Sequence, residues 1–302
     1  MKPLLVGCDP EVFYKDTKGD FVSAHDILPG TKAVPHKVPY GAVQVDGLAA
    51  EFNTDPADSA MAFVTNISQV MTSLQGMSKG MTLAIEPFAV FNQEYLDSLP
   101  EEVRVLGCNP DYNAWTGQVN PPPVSKDGMY TASGHVHIGW CTQADPMEEY
   151  HFLDCCRFVK QLDYYLGLYS LQWDPDNTRR SMYGQAGAMR PKPYGVEYRV
   201  LSNQWLKSES LQSWIFSAVQ YAAQQLNSNK PSLEDKFGTF AQDCINENRV
   251  EWYKTDTGKQ VCNYTGMSWP DTKYMKKKKT PKVTVDYFNP LVNPFAPSAL
   301  ED

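Results

Sequence analysis

The sequence predicts an α+β fold: one antiparallel-rich sheet, covered on one face by helices and open on the other to a ligand. Three observations carry this. Short strand-like segments alternate with long segments of helical period, in the order strands, helix, strands, helix, strand, helices. Several strands place charged or metal-capable side chains at i and i+2, so these share one face. Of the 302 residues, 42% are hydrophobic and 12% aromatic, enough for a packed core rather than a disordered chain.

Residues 4–13 read as a strand that ends in charge at Asp9 and Glu11. A turn at Lys18-Gly19-Asp20 leads into a short strand at Phe21-Val22-Ser23-Ala24. Residues 25–41 lack periodicity and read as a loop, with Gly30-Thr31-Lys32 near its middle. Alternation from Gly41 to Asn53 predicts one or two strands. Asp55-Pro56-Ala57-Asp58 opens a helix of roughly five to six turns. Its inner stripe is Met61, Val64, Ile67, Val70, Met71 and Leu74.

Thr82 to Phe91 is strand-like, and Glu94 to Leu99 is a short helix. Residues 107–130, rich in Gly, Pro and Asn, form a long loop; such loops in folded domains often carry function. A strand over 131–140 follows. Asp145-Pro146-Met147-Glu148 caps a helix that runs to about Leu171. Residues 174–195 are a glycine- and arginine-rich loop, Val196 to Leu201 a strand, and 208–226 and 232–246 helices. No repeat or linker divides residues 1–272, which read as a single domain. A Lys/Pro-rich tail occupies 273–302, with Lys276 to Lys279 as its lysine run.

The formal charge of -8 gives no general attraction to nucleic acid or anionic membrane. No signal peptide precedes the first motif, and no apolar run is long enough for a membrane span. Seven cysteines without a C-x-x-C pair suit a reduced, cytoplasmic chain better than a disulfide framework or structural zinc. Dinucleotide, P-loop and serine-hydrolase elbow motifs are absent from the sequence.

The charged face would gather Asp9 and Glu11, then Glu51, then His135 and His137, then Glu197 and Arg199. Unpaired buried charge is costly, so such a face points to metal and a charged substrate. Carboxylates with a few histidines suit Mg²⁺ or Mn²⁺. Zinc held by His135, His137 and a remote carboxylate is the competing assignment. Arg190, Lys192 and Arg199 offer guanidinium and ammonium groups to phosphate or carboxylate. The plainer alternatives are a turn cap at Asp9, a solvated Glu11 and a structural Glu197–Arg199 ion pair.

Six phrases go beyond spacing: Gly7-Cys8-Asp9-Pro10-Glu11-Val12-Phe13, Gly41 through Asn53, Gly107-Cys108-Asn109-Pro110-Asp111-Tyr112-Asn113-Ala114, Gly134-His135-Val136-His137-Ile138-Gly139, Tyr183-Gly184-Gln185-Ala186-Gly187 through Arg190, and Gly195 through Asn203. Together they resemble the carboxylate–amine ligase (amidoligase) family in its tailed-bacteriophage branch, a distant relative of glutamate–cysteine ligase and glutamine synthetase. The resemblance implies a glutamine-synthetase-like incomplete barrel of antiparallel strands with helices outside. Its concave face would hold ATP and Mg²⁺, with Mn²⁺ as a substitute. Asp9, Glu11, Glu51, His135 and Glu197 would be the metal ligands. Lys192, Arg190, Arg199 and His137 would line the nucleotide site, and whether His135 or His137 touches metal stays open.

The implied reaction is amide formation through an acyl phosphate, releasing ADP and phosphate. Arg199 or Arg190 would offset charge, and Asp46 or Glu11 would take the proton of the amine. The substrates would be a small carboxylate such as an amino acid and an amine; a homo-oligomer is compatible with the sequence. Tyr130 stands where the family has an arginine before its His-x-His, which alters the acyl-substrate or phosphate pocket. The alternatives are a metal-dependent phosphohydrolase, or a non-catalytic phage structural or interaction protein retaining the ligase fold.

Overall fold

A computed structural model describes residues 4–104, 111–122 and 128–270. The tail, its lysine run and the Gly107 to Pro110 part of the third phrase lie outside the described residues. The elements, in chain order, begin with β1 (Leu5–Cys8), β2 (Glu11–Lys15), β3 (Phe21–Val22), β4 (His36–Val38), β5 (Gly41–Asp46) and β6 (Ala49–Thr54). Next come α1 (Ala60–Gly76), β7 (Thr82–Ala84), β8 (Phe88–Val90), α2 (Gln93–Ser98), α3 (Glu101–Arg104), β9 (Tyr112–Asn113), β10 (Met129–Thr131) and β11 (Val136–Gly139). The rest are α4 (Glu149–Leu162), α5 (Leu168–Ser170), β12 (Ala188–Lys192), β13 (Gly195–Tyr198), α6 (Glu209–Leu226), α7 (Leu233–Phe237), α8 (Phe240–Asn246) and α9 (Asp256–Thr265).

The fold is α+β, with a curled, incomplete antiparallel sheet and helices packed around it. One part of the sheet has the order β1-β11-β13-β12-β9, and another β3-β2-β6-β5-β4, with β7 also on β2. The expected first strand is broken at Asp9-Pro10, and the break makes the curl. Proline has no N–H for a ladder. Before it, β1 pairs with β11; after it, β2 pairs with β6. Phe52 donates its N–H to the Pro10 carbonyl at 3.1 Å, and Glu11 N–H bonds the Ser133 carbonyl at 2.9 Å. One chain segment thus crosses from one part of the sheet into the other, and the concave side faces a single cavity.

The outer face is apolar. In β11, Val136 and Ile138 are buried toward the helices while His137 and Gly139 alternate to the other side. These join Val196, Tyr198, Val159, Leu162, Ile215 and Val219 in one core. Burying each such aliphatic side chain contributes roughly 1.5–3 kcal/mol. Phe63 of α1 stacks on Trp205 at 6.1 Å between ring centroids, locking α1 beside the segment that follows β13.

Several boundaries differ from expectation, each for a local reason. Helix α1 begins at Ala60, capped by the Ser59 hydroxyl, because Ala57 is still extended in an antiparallel bridge to Val6. Met61 consequently points outward and is 80% exposed, while Phe63, Asn66, Ile67, Val70 and Leu74 are buried. The expected 82–91 strand is two strands, β7 and β8, on different partners. The predicted 232–246 helix is divided at Gly238, whose φ of 62° lies in the left-handed region. Strand β12 falls in a segment read as loop. Its Pro191 lies beyond β9, which pairs only with Ala188 and Met189, so no ladder donor is missed there. β4 and α9 also escaped the sequence reading.

Helix α4 runs on through a π-helical turn, Asp163–Gly167, into α5, close to the predicted extent. Asp163 is fully buried and accepts hydrogen bonds at 2.7 Å from Trp115 Nε1 and 2.7 Å from the Tyr198 hydroxyl. Burial pushes its carboxyl up to about 7, against the opposing pull of those two bonds. The folded state therefore binds the proton more tightly than the unfolded chain. Stability from this group is present at low pH and declines as pH rises from about 4 through 7. Asp163→Asn removes the ionisation and leaves an amide whose oxygen accepts from Trp115 Nε1 and whose NH₂ donates to the Tyr198 oxygen. The expected result is a smaller loss of unfolding free energy between pH 5 and 8 than in the wild type, measured by urea denaturation. Equal losses in the two proteins would show that Asp163 does not titrate in this window.

Candidate active site

Antiparallel register builds the site in rows. Gly7 lies opposite His137, His137 opposite Glu197, and Glu197 opposite Arg190. The parallel row of Leu5, Gly139, Gly195 and Lys192 flanks it. On the other side, Asp9 donates its N–H to the His135 carbonyl at 3.4 Å, and Arg199 continues from β13. In the second part of the sheet, Glu11 faces Glu51, and Glu51 faces Gln44.

All these rows border a cavity of about 900 Å³, of a size that holds a nucleotide and a small acid. Asp9, Glu11, Glu51, His135, His137, Arg190, Lys192, Arg199 and Asp46 all line it. Glu197 sits just behind the wall, fully buried, and ties the cations together. Lys192 Nζ lies 2.8 Å and Arg190 Nη1 3.4 Å from Glu197 Oε2. Arg199 Nη1 pairs with Oε1, and His135 Nδ1 is 3.3 Å from the same oxygen. Asp46 is drawn to Lys32, at 2.8 Å.

Electrostatics divide the carboxylates into two kinds. Burial alone would raise Glu197, but Arg199 overrides it and holds the group down at about 2. Loss of water would likewise raise the half-buried Asp9, yet His137 and His135 keep it well below the usual carboxylate range. Glu11 is pushed the other way, to about 7, first by burial and then by the charge of Asp46. Glu51 stands well above its ordinary value through burial and the charges of Asp9, Asp46 and Glu11. Burial, then Arg199, lowers His135 to about 4, so its imidazole is neutral and fit to ligate. The neighbouring Asp9 carboxylate raises His137 despite its burial.

Asp9, His135 and Glu197 bring one donor atom each within 4.8 Å of one another. Asp9 Oδ1 lies 2.9 Å from His137 Nε2 and 3.5 Å from His135 Nδ1, and the buried His135 Nε2 completes no hydrogen bond. A buried imidazole nitrogen without a partner is rare in a protein interior, and a cation is one thing that satisfies it. Two carboxylates and a neutral imidazole fit a divalent ion. Glu11 and Glu51 lie outside this triad, as a carboxylate pair on the adjoining strands.

Three side chains complete the site that the strand patterns did not single out. Asp111 receives Arg199 Nε at 3.2 Å and the Tyr183 hydroxyl at 3.1 Å. The Tyr183 ring lies 5.4 Å from the Arg199 guanidinium and 5.5 Å from that of the buried Arg179. Tyr194, in the turn between β12 and β13, bonds His137 Nδ1 through its hydroxyl. Asp111 and Tyr183 stand within phrases that carried the family resemblance, which was the one signal for them; they sit in loops, where no period marks a face. Tyr130 bonds the Arg104 carbonyl at 3.3 Å and lines the cavity.

Gly134 is required for close approach. A Cβ there would lie 2.4 Å from the Ser202 carbonyl oxygen and 2.4 Å from Trp205 Nε1, which itself donates to the Gly134 carbonyl. Gly134→Ala is expected to cost about 1–3 kcal/mol, the range for overpacking, and to displace His135. A thermal melt and a Mn²⁺ titration check this. An unchanged melting temperature with unchanged Mn²⁺ affinity would show that the backbone has room to spare.

Residues 126–240 match the protein-family model of the phage phiEco32-like COOH.NH2 ligase-type 2. The matched stretch contains His135, His137, Arg190, Lys192, Glu197 and Arg199, but is less than half of the chain. No curated protein matches. Among solved structures, the chain is similar to a "novel glutamine synthase homolog", with 9% identity, 88% of this chain and 71% of that chain covered, and a TM-score of 0.36. It is similar also to a GmaS/ADP complex, with 10% identity, 92% and 72% covered, and a TM-score of 0.34. Among the described residues, no helix is long and apolar enough to cross a membrane.

Proposed function

We propose that this chain is an ATP-dependent carboxylate–amine ligase that works through an acyl phosphate. One observation carries the reading. Arg190, Lys192 and Arg199 line one large cavity together with Asp9 and His135, and the buried Glu197 carboxylate just behind that wall organises the three cations and stands within reach of the Asp9 and His135 donors. The match to a carboxylate–amine ligase family across residues 126–240 supports it. The catalytic domain is residues 1–272, and 273–302 are an accessory tail.

In this reading Lys192, Arg190, Arg199 and His137 hold the nucleotide phosphates. Asp9, His135 and Glu197 hold a divalent ion, Mg²⁺ or in its place Mn²⁺, with Glu11 and Glu51 as further carboxylate ligands. Such an ion supplies charge neutralisation on phosphate oxygens when bound. A carboxylate oxygen of the first substrate attacks the γ-phosphorus, the bond to the β,γ-bridging oxygen breaks, and ADP leaves. The amine nitrogen then attacks the acyl carbon, and phosphate departs with its C–O bond electrons. Arg199, braced by Asp111 and Glu197, faces the charge that grows on the transferring group. The amine proton goes to Glu11 or Asp46. The acid is a small molecule such as an amino acid, the setting a phage-infected cytoplasm.

Incubation with Mg-ATP and pooled carboxylates and amines tests this by mass spectrometry. The expected products are a condensed species short of one water, ADP and phosphate. AMP with pyrophosphate would overturn the acyl-phosphate step. ATP hydrolysis that needs neither acid nor amine would make the protein a phosphohydrolase.

A further inference from the structure

We propose that Asp163 is a positioning residue: from the helical layer it seats the loop 111–122 against the sheet, and through that loop fixes the wall of the cavity. The loop contributes Asp111 to the Arg199 and Tyr183 bonds and Val119 and Asn120 to the cavity surface. Asp163 lies on the opposite side of β13, in the π-helical turn, and is fully buried. Its two oxygens take the indole N–H of Trp115 from the loop and the hydroxyl of Tyr198, the residue between Glu197 and Arg199.

The surroundings are built to this contact. Gly187 holds φ at 79°, and a Cβ there would lie 2.5 Å from the Trp115 ring and 2.9 Å from Asn113 Oδ1. Ala114 N–H bonds the Gly187 carbonyl at 2.9 Å, and Trp115 N–H bonds Asn113 Oδ1 at 2.9 Å. Loop, start of β12 and back of β13 therefore meet at one carboxylate. Among the described residues, no Lys or Arg nitrogen pairs with Asp163 within 4 Å. An uncompensated buried carboxylate costs several kcal/mol, and an apolar residue of like size is often as stable or more so. Stability alone thus gives little reason for an acid here. Placement of the loop, which needs an acceptor aimed at Trp115 and another at Tyr198, does.

Hydrogen exchange on the full chain tests this without substrate, so its outcome does not depend on the ligase reading. The amides to follow are Asn113, Ala114 and Asn120, which bond the Gln118, Gly187 and Asp111 carbonyls. Asp163→Leu and Trp115→Phe should each speed their exchange about tenfold, as expected for loss of one hydrogen bond of order 1.4 kcal/mol. Asp163→Asn should stay near the wild type, since its amide oxygen meets Trp115 and its NH₂ meets the Tyr198 oxygen. The Asp163→Leu/Trp115→Phe double variant should be no faster than either single one. Trp115→Phe keeps the ring and carries the test if Asp163→Leu fails to fold. Wild-type protection in Trp115→Phe, no rescue by Asp163→Asn, or additive effects in the double variant would each overturn the assignment.

Discussion

Arg199→Ala should cut product formation by a few hundredfold while leaving the protein folded. Loss of one preorganised charge contact in the transition state costs roughly 3–4 kcal/mol in the barrier. The folded state is cushioned: Glu197 keeps Lys192 at 2.8 Å and Arg190 at 3.4 Å, and Asp111 keeps the Tyr183 hydroxyl. Arg199→Lys retains the charge but not the planar fork that reaches Asp111 and Glu197 together, and should fall between the two. The measurements are steady-state rate and melting temperature on the same preparations. A folded Arg199→Ala variant with near-normal ligation would move the role to Arg190.

Glu197→Ala should act on stability as well as on chemistry. Its carboxylate is fully buried and is shared by Arg190, Lys192, Arg199 and His135. Removing one partner of a buried pair costs about 3–5 kcal/mol, because the remaining charges stay desolvated. The same change deletes one of the three donors at the candidate metal centre. Denaturant unfolding should therefore show a large loss, and Mn²⁺ affinity should drop by roughly tenfold or more, a drop of the size seen when even an outer-shell partner is lost. Wild-type unfolding together with wild-type Mn²⁺ affinity would reduce Glu197 to a bystander.

The contrast between these two substitutions shows what could be read from the sequence. The i, i+2 spacing at His135/His137 and Glu197/Arg199 placed them on one side of strands, and antiparallel pairing then made neighbours of residues 60 apart, as His137 and Glu197 are. That is a strand-period inference, and it needs only alternation. The same rule could not reveal that Glu197 would be covered and Arg199 left lining the cavity, since cover depends on which strands flank β13. It could not find β12, because Pro191 and the surrounding glycines imitate a loop. Asp111 and Tyr183 were hidden for a similar reason: their positions follow from Arg199 and the chain path between elements. The bend at Asp9-Pro10 was legible as a proline but not as the joint that brings Glu11 and Glu51 to the same cavity as Asp9.

Transfer of label from the acid to phosphate addresses the acyl-phosphate ligase reading. The carboxylate identified in the pooled-substrate experiment is prepared with ¹⁸O in both oxygens and incubated with the protein, Mg-ATP and the amine. One ¹⁸O per turnover should appear in the inorganic phosphate, because the attacking carboxylate oxygen leaves with the phosphoryl group. Amide formation with unlabelled phosphate would contradict the account.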